Sequence, residues 1–289
     1  MTPPLDPQQI RRAFGRAAKT YAKHAALQRE VEDRLLERLE YVERVPQRVL
    51  DVGCGPGRAS SLLRKRWKSA QTIALDLALP MLRRVHTGWR RPLARVCADA
   101  RALPVADASI DVLFSNLCIQ WIDDVPALFD EFRRVLRPSG YLAISTFGPD
   151  TLHELRAAWG AADRAPHVSG FVDIARVGDA LMAAGFRDPV LDAEHFTLTY
   201  ADAASLMREL KAIGATNADA RRARGLTGKN QLRRALDAYE SFRRDDVLPA
   251  TYEVIYAHAW GPEPGQPRRS RAGGEIASFP IERLRGSRR

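Results

Sequence analysis

Cysteine is scarce in this chain. Cys54, Cys97 and Cys118 are the only three in 289 residues, and all lie in strand or turn segments. None has metal-type spacing, which excludes a disulfide framework and a zinc module as the basis of the fold. The three read as reduced cytoplasmic thiols. No apolar run approaches the length of a membrane span. The N-terminus, Met1-Thr2-Pro3-Pro4-Leu5-Asp6-Pro7, lacks the apolar core of a signal peptide. No internal repeat is visible. From Pro262 onward apolar periodicity is missing too: residues 262–289 are rich in Gly, Pro and Arg, which predicts a basic, disordered, dispensable tail. These absences lead to the expectation of a cytoplasmic protein away from membranes.

What is present suits a globular protein. Hydrophobic residues make up 45% and charged residues 28%, enough for one full core with an appended lid. The net charge of +10 licenses an acidic partner. Clusters at Arg221, Arg222 and Arg224, and in the tail from Arg268 to Arg289, carry much of the excess.

The stretch Val49-Leu50-Asp51-Val52-Gly53-Cys54-Gly55-Pro56-Gly57 carries the most information. An apolar run reads as a buried strand, breaks into three glycines, and passes into a helix-like run from Arg58 to Leu63. Glycine lets such a turn take strained dihedrals and lets a ligand approach bare backbone. The spacing is G-x-G-x-G, and no Lys-Ser/Thr follows, so the turn is poorly built for a pyrophosphate or triphosphate. It resembles the first motif of the class I S-adenosylmethionine (SAM)-dependent methyltransferases. Strands alternate with helices over residues 46–147, the pattern of a parallel sheet with right-handed crossovers. Leu191 to Tyr200 and Thr251 to Trp260 add an antiparallel pair. The expected fold is α/β, Rossmann-like and seven-stranded. Residues 1–45 form a helical cap, 46–200 the cofactor-binding core, 201–248 a helical lid, and 249–261 the final core strand.

A SAM site assigns roles in turn. Asp76 ends the second strand about 20 residues past the glycines, the offset of a ribose-binding acid, with Leu77 beside it. Asp99, next to Ala100, either accepts the adenine amino hydrogen or serves as a cap or turn residue. Ser115 and Asn116 end the fourth strand, where ligands of open α/β sheets sit. Asp51 either anchors the glycine turn through backbone N–H groups or touches the methionine ammonium. Cys54, with Gly53, Gly55 and Gly57, completes the cofactor set; no histidine nearby in sequence supports Cys54 as a nucleophile. His153 and His195 show no partner at catalytic spacing.

Further segments reach past the superfamily. They include Phe14-x-x-Ala17-x-x-x-Tyr21, Asn116-Leu117-x-x-Gln120-Trp121, Ser145-Thr146-Phe147-Gly148-Pro149, Leu210-Lys211-x-Ile213-Gly214-Ala215 and Gly225-Leu226-Thr227-Gly228. Over about residues 10–260 these resemble the malonyl-acyl-carrier-protein O-methyltransferases of biotin synthesis. The resemblance implies methylation of the free carboxylate of a malonyl thioester on acyl carrier protein, with SAM as donor and no nucleic acid involved. Tyr21, Arg156 and Lys211 are the residues it offers for positioning that carboxylate. Tyr21 would fold over the cofactor or pack at the sheet edge; Arg156 or Lys211 would supply one cation. The turn Leu136-x-Pro138-x-Gly140 before the fifth strand also resembles the methyltransferase superfamily, with Ser139 where that pattern has its second glycine. The competing readings are a methyltransferase for another small acid or a quinone-like ring, and a SAM-binding homologue with altered chemistry. RNA methylation is disfavoured, because Ser115-Asn116-Leu117-Cys118 replaces the Asn/Asp-Pro-Pro-Tyr/Phe clamp of base methyltransferases.

Overall fold

The computed structural model describes residues 4–88, 93–223, 225 and 227–263, and the backbone of 268–269 and 275–276. Seven strands form one sheet in the order β3-β2-β1-β4-β5-β7-β6. They are β1 Arg48–Val52, β2 Gln71–Asp76, β3 Ala94–Cys97, β4 Ile110–Ser115, β5 Leu136–Phe147, β6 Arg187–Tyr200 and β7 Leu248–Trp260. The first five pair in parallel; β7 runs antiparallel between β5 and β6. This is the expected Rossmann-like architecture. Strand order reverses between β1 and β4, so the carboxyl ends of these two strands open the crevice where such sheets bind ligands.

The period of two along each strand sorts the core onto two faces. Val49, Phe114, Tyr141, Ala143 and Val254 face one way. Leu50, Val52, Leu113, Leu142 and Ile144 face the other, under the helices α6 Val125–Val135 and α8 Ile174–Ala184. Each of these helices starts where an aspartate caps it. Asp124 accepts from Ala127 N at 3.0 Å and Asp173 from Arg176 N at 2.8 Å. The second helix ends at Gly185, in the left-handed conformation that the glycine predicts.

The N-terminal segment is helical, in separate pieces. It breaks into α1 Pro7–Ala17, α2 Tyr21–His24 and α3 Ala26–Glu37. Thr20 leaves the helix to donate its hydroxyl to Ala212 O at 2.7 Å, a tertiary bond that no local pattern announces. The 201–248 segment is also less helical than expected. It holds α9 Ala203–Ala212 and α10 Lys229–Tyr239, with no helix among the described residues between them. That connecting stretch closes over α1. Asp6 N donates to Ala218 O at 2.8 Å and Ala220 N to Pro4 O at 2.9 Å. Arg222 pairs with Asp6 at 3.0 Å and Arg221 with Asp219 at 2.8 Å. Two arginines of the expected basic cluster are therefore engaged in internal ion pairs.

Two further expectations change. Residues 137–140 belong to β5, which starts directly after α6, and Ser139 interrupts the extended run at φ 54°. A side chain there pays a left-handed conformation that glycine would take freely. Packing also runs past Gly261, since Glu263 accepts from Ser139 Oγ and from Arg187 at 3.5 Å. The rest of the predicted tail lies outside the described residues, apart from a two-residue ribbon, β8 Arg268–Arg269 with β9 Glu275–Ile276.

Gly214 shows how tightly the connecting stretch meets the cap. Its φ is +82°, and an added Cβ would lie 3.1 Å from the backbone Cα of Phe14. Gly214→Ala should destabilise the protein by about 1–3 kcal/mol. Denaturant unfolding checks this; an unchanged midpoint would mean that the stretch shifts freely.

Candidate active site

The glycine turn is clasped to the neighbouring strand. Gly53 N and Cys54 N both donate to Leu75 O, at 2.8 and 3.0 Å. The two oxygens of Asp76 divide their work: Oδ2 accepts from Gly55 N at 2.9 Å and Oδ1 from Ala78 N at 2.7 Å. Gly53 has φ +73°, and a Cβ there would meet Cys118 Sγ at 2.5 Å, so only glycine fits. Gly57 lines no described cavity. At φ +83° it forms the N-cap of α4 Arg58–Arg66, and a Cβ would lie 2.8 Å from Val85.

Two confluent cavities flank this turn. The first, about 820 Å³, has Asp76, Leu77, Asp99 and Ala100 on the sheet side. Leu5, Ile10 and Phe14 of the cap segment form its other wall, with Trp121 packed edge-on against Phe14 at 5.2 Å. The second, about 550 Å³, is lined by Asp51, Cys54, Glu32 and Arg58 among others. Tyr21, Gly53, Gly55 and Asn116 line both. Asn116 ties the cap to the sheet: its Nδ2 donates to Gln28 O at 3.0 Å and its Oδ1 accepts from Ser145 Oγ at 2.7 Å.

Charge in the second cavity is held under strain. Asp51 is buried, accepts from Ser60 Oγ, and is pushed up to about 8 by that burial, with the nearby acids Glu32 and Asp76 adding to the rise. It bonds α4 rather than the backbone of the glycine turn. Glu32 is raised by burial as well, although Arg58 pairs with it at 2.5 Å. Burial lifts Asp76 to about 6 against the pull of its two backbone bonds. The Tyr21 hydroxyl is raised by burial and stays a phenol, and burial holds the Cys118 thiol up to about 12.

Several assigned residues sit elsewhere. Ser115 is fully buried and donates to Val52 O at 3.0 Å, bracing β4 against β1 outside the cavities. Asp99 does serve as a turn residue, accepting from Arg101 N at 3.0 Å and pairing with the Arg101 guanidinium at 2.6 Å, while the residue also lines the first cavity. Arg156 lines none of the described cavities; it donates to Pro149 O and Thr151 O, at 3.1 and 3.0 Å. Lys211 is exposed and lines none either. His195 meets Asp150 at 3.3 Å on the edge strand. No local pattern singles out Glu32 and Arg58, whose meeting depends on α3 packing against α4, nor the wall formed by Leu5 and Ile10.

Residues 50–144 match the model of a methyltransferase domain. A relative in Xylella fastidiosa, the malonyl-[acyl-carrier protein] O-methyltransferase, is 53% identical over 97% of this chain and 96% of its own. The enzyme of the same name in Methylovorus is 52% identical over 90% of each chain. This chain belongs to the malonyl-[acyl-carrier protein] O-methyltransferase family. Among solved structures, a SAM-dependent methyltransferase of Thermotoga maritima shares the fold, with a TM-score of 0.52 at 14% identity, covering 87% of this chain and 99% of that one.

S-adenosylmethionine is the methyl donor of this malonyl-[acyl-carrier protein] O-methyltransferase family, and the donor set fits it. The first cavity offers apolar walls for a base and two carboxylates as hydrogen-bond acceptors. The second offers acids for an ammonium and Arg58 for a carboxylate. A buried Asp51 short of a positive partner is what an ammonium would relieve.

Asp76→Ala should weaken SAM binding tenfold or more by removing a charged acceptor and the clasp on Gly55, as calorimetry will show. Asp51 makes a second prediction. Its carboxyl is mostly protonated at pH 7, and an adjacent ammonium favours the carboxylate. Binding at pH 7 should therefore release a proton, and affinity should rise as pH climbs toward 8. Binding heats measured in phosphate and in Tris should differ, and Asp51→Asn should remove the difference. Equal heats in both buffers for the unmodified protein would exclude the contact.

Proposed function

We propose that this chain transfers the methyl group of SAM to the free carboxylate of malonyl-acyl carrier protein, giving the methyl ester that serves as a disguised primer in biotin synthesis. The observation that carries this reading is the 53% identity, across nearly the whole of both chains, to an enzyme of that name. The chemistry of the cavities agrees with it. Tyr21 stays a phenol and Cys118 a thiol, so neither is a ready base near pH 7. None is required. A carboxyl with a pKa near ~4 is ionised before it binds, whereas carbon methylation would call for a positioned base.

Bound SAM supplies an electrophilic methyl group, and its sulfur keeps the electron pair of the broken C–S bond. The attacking carboxylate forms the new O–CH₃ bond, one negative and one positive charge cancel, and no proton moves. The protein's task is alignment. Tyr21 and Asn116, which line both cofactor cavities, stand where the two halves of the ligand join, and the Tyr21 hydroxyl can donate to an incoming carboxylate oxygen. Asp76 takes the ribose diol, and Asp51 with Glu32 takes the ammonium. Residues 1–45 and 201–248 act as a cap and lid over the 46–200 core. The carrier protein is acidic, and a net charge of +10 favours its approach. The cytoplasm is the proposed compartment, where the three free thiols stay reduced.

Labelled SAM, offered malonyl-acyl carrier protein, malonyl-CoA, free malonate and bulk RNA in parallel, should label the carrier protein most efficiently. Its apparent KM should rise with salt as charge attraction is screened. Equal labelling of free malonate with no salt effect would contradict the proposal, and labelled RNA would replace it.

A further inference from the structure

A third cavity, about 620 Å³, opens beside the first two between the core and the connecting stretch after α9. It meets the second cavity at Gln28 and the first at Trp121. Phe147, Leu152, Leu155, Leu210 and Ile213 make its walls mostly apolar. Neither Arg156 nor Lys211 lines it. Among the described residues that do, one can carry a positive charge: His167.

The surroundings of His167 hold it in one orientation. Its Nε2 lies 2.9 Å from each carboxylate oxygen of Asp163. Its ring stacks on Trp159, with centroids 3.8 Å apart and planes 10° off parallel. Asp163 is fixed in turn by Ala165 N at 2.8 Å and by Gln231 of α10 at 3.3 Å, and Arg234 of the same helix adds its charge nearby. With Nε2 engaged, Nδ1 is the free nitrogen; no described residue bonds it. Thr216 also lines this cavity, and its hydroxyl oxygen is buried without a hydrogen-bond partner. A buried polar atom left single beside an open cavity is a place for a ligand's polar group.

We propose that this third cavity is the acceptor chamber, that it takes a short acyl thioester ending in a carboxylate, and that His167 binds that carboxylate. This inference rests on the function proposed above and adds the acceptor site to it. A negative group entering an apolar chamber needs a counter-charge. Asp163 anchors the ring from behind through Nε2, and when the ring carries both protons Nδ1–H donates forward to one carboxylate oxygen. A single cation on a single oxygen leaves the other oxygen free to attack. Two arginines would bind more tightly but withdraw charge from both oxygens. The Gln28–Trp121 junction is the chamber's opening toward the methyl group, and Thr216 offers its hydroxyl to the thioester end.

The test is binding, so that it does not depend on turnover. Enzyme saturated with S-adenosylhomocysteine is titrated with malonyl- and with acetyl-carrier protein, which differ in the carboxylate. The unmodified protein should prefer malonyl about tenfold or more. His167→Ala should erase that preference, leaving acetyl binding and SAM affinity unchanged. A preference that survives the substitution overturns the proposal, and so does an equal weakening of both ligands, which is the mark of a merely structural histidine. If His167→Ala damages the fold, seen as lost SAM binding, His167→Gln decides in its place, since the amide keeps a donor to Asp163. Ala215→Phe, which fills the chamber, should abolish binding of both acyl carriers and spare SAM; retained malonyl binding would place the acceptor elsewhere. Failure of the unmodified enzyme to methylate malonyl-carrier protein would strike the proposed function itself. Normal methylation with an undiminished preference in His167→Ala strikes only the chamber.

Discussion

Two backbone N–H groups donating to one carbonyl, Leu75 O, hold the site together. They fold the glycine turn back across the end of β2 and bring Gly55 N onto the Asp76 carboxylate. Everything around the cofactor cavities takes its position from this clasp. It fixes the mouth of β1 and the start of α4. It leaves Gly53 and Gly55 facing both cavities, with no side chain between backbone and ligand. Tyr21, Asn116 and Trp121 then pack around a rigid floor. The arrangement requires left-handed dihedrals at three alternate positions, which explains why the spacing is G-x-G-x-G.

Charge is distributed unevenly over the floor. The cofactor side concentrates buried acids, Asp51, Glu32 and Asp76, and burial lifts all three above their ordinary values. A donor that arrives as a cation relaxes this concentration. The third cavity is close to neutral, with His167 as its one chargeable cation among the described residues. The proposed donor, a cation, would meet the acids, and the proposed acceptor, an anion, the cavity whose lining has none among the described residues. That separation keeps two oppositely charged reactants from being held apart by the protein's own field.

The sheet was legible because its strands are short apolar runs with breakers between them, and each strand mostly answers to its own sequence. Asp76, Gly53 and Gly55 stand at the crevice for the same reason: the end of one strand and the start of one helix put them there. Side chains that act across the fold could not be placed. Asp51 was open between two roles, and its bond to Ser60 became visible only once α4 was packed. Ser115 ends a strand at the crevice, yet its hydroxyl points to Val52 O. Arg156 and Lys211 carry charge, which marks a surface as readily as a site. His167 carries an i,i+4 aspartate that a sequence displays openly, but nothing local says that both residues stand beside a cavity. The break of the cap into three helices was hidden because Thr20 answers to Ala212, far away in sequence.

The closing of the cap over residues 218–222 has a consequence for how the protein is made. The chain emerges from the ribosome with its N-terminus first. Leu5 and Asp6 are among the earliest residues to appear, yet their partners, Ala218, Asp219 and Arg222, follow some two hundred positions later. The parallel strands can assemble while the wall of the first cavity is still missing. The residues of the glycine clasp are therefore all made well before those that close the wall of the first cavity. Leu5 and Ile10, which pack with Ala218, wait longest for their cover, whereas Phe14 meets Met81 and Trp121 much earlier in the chain.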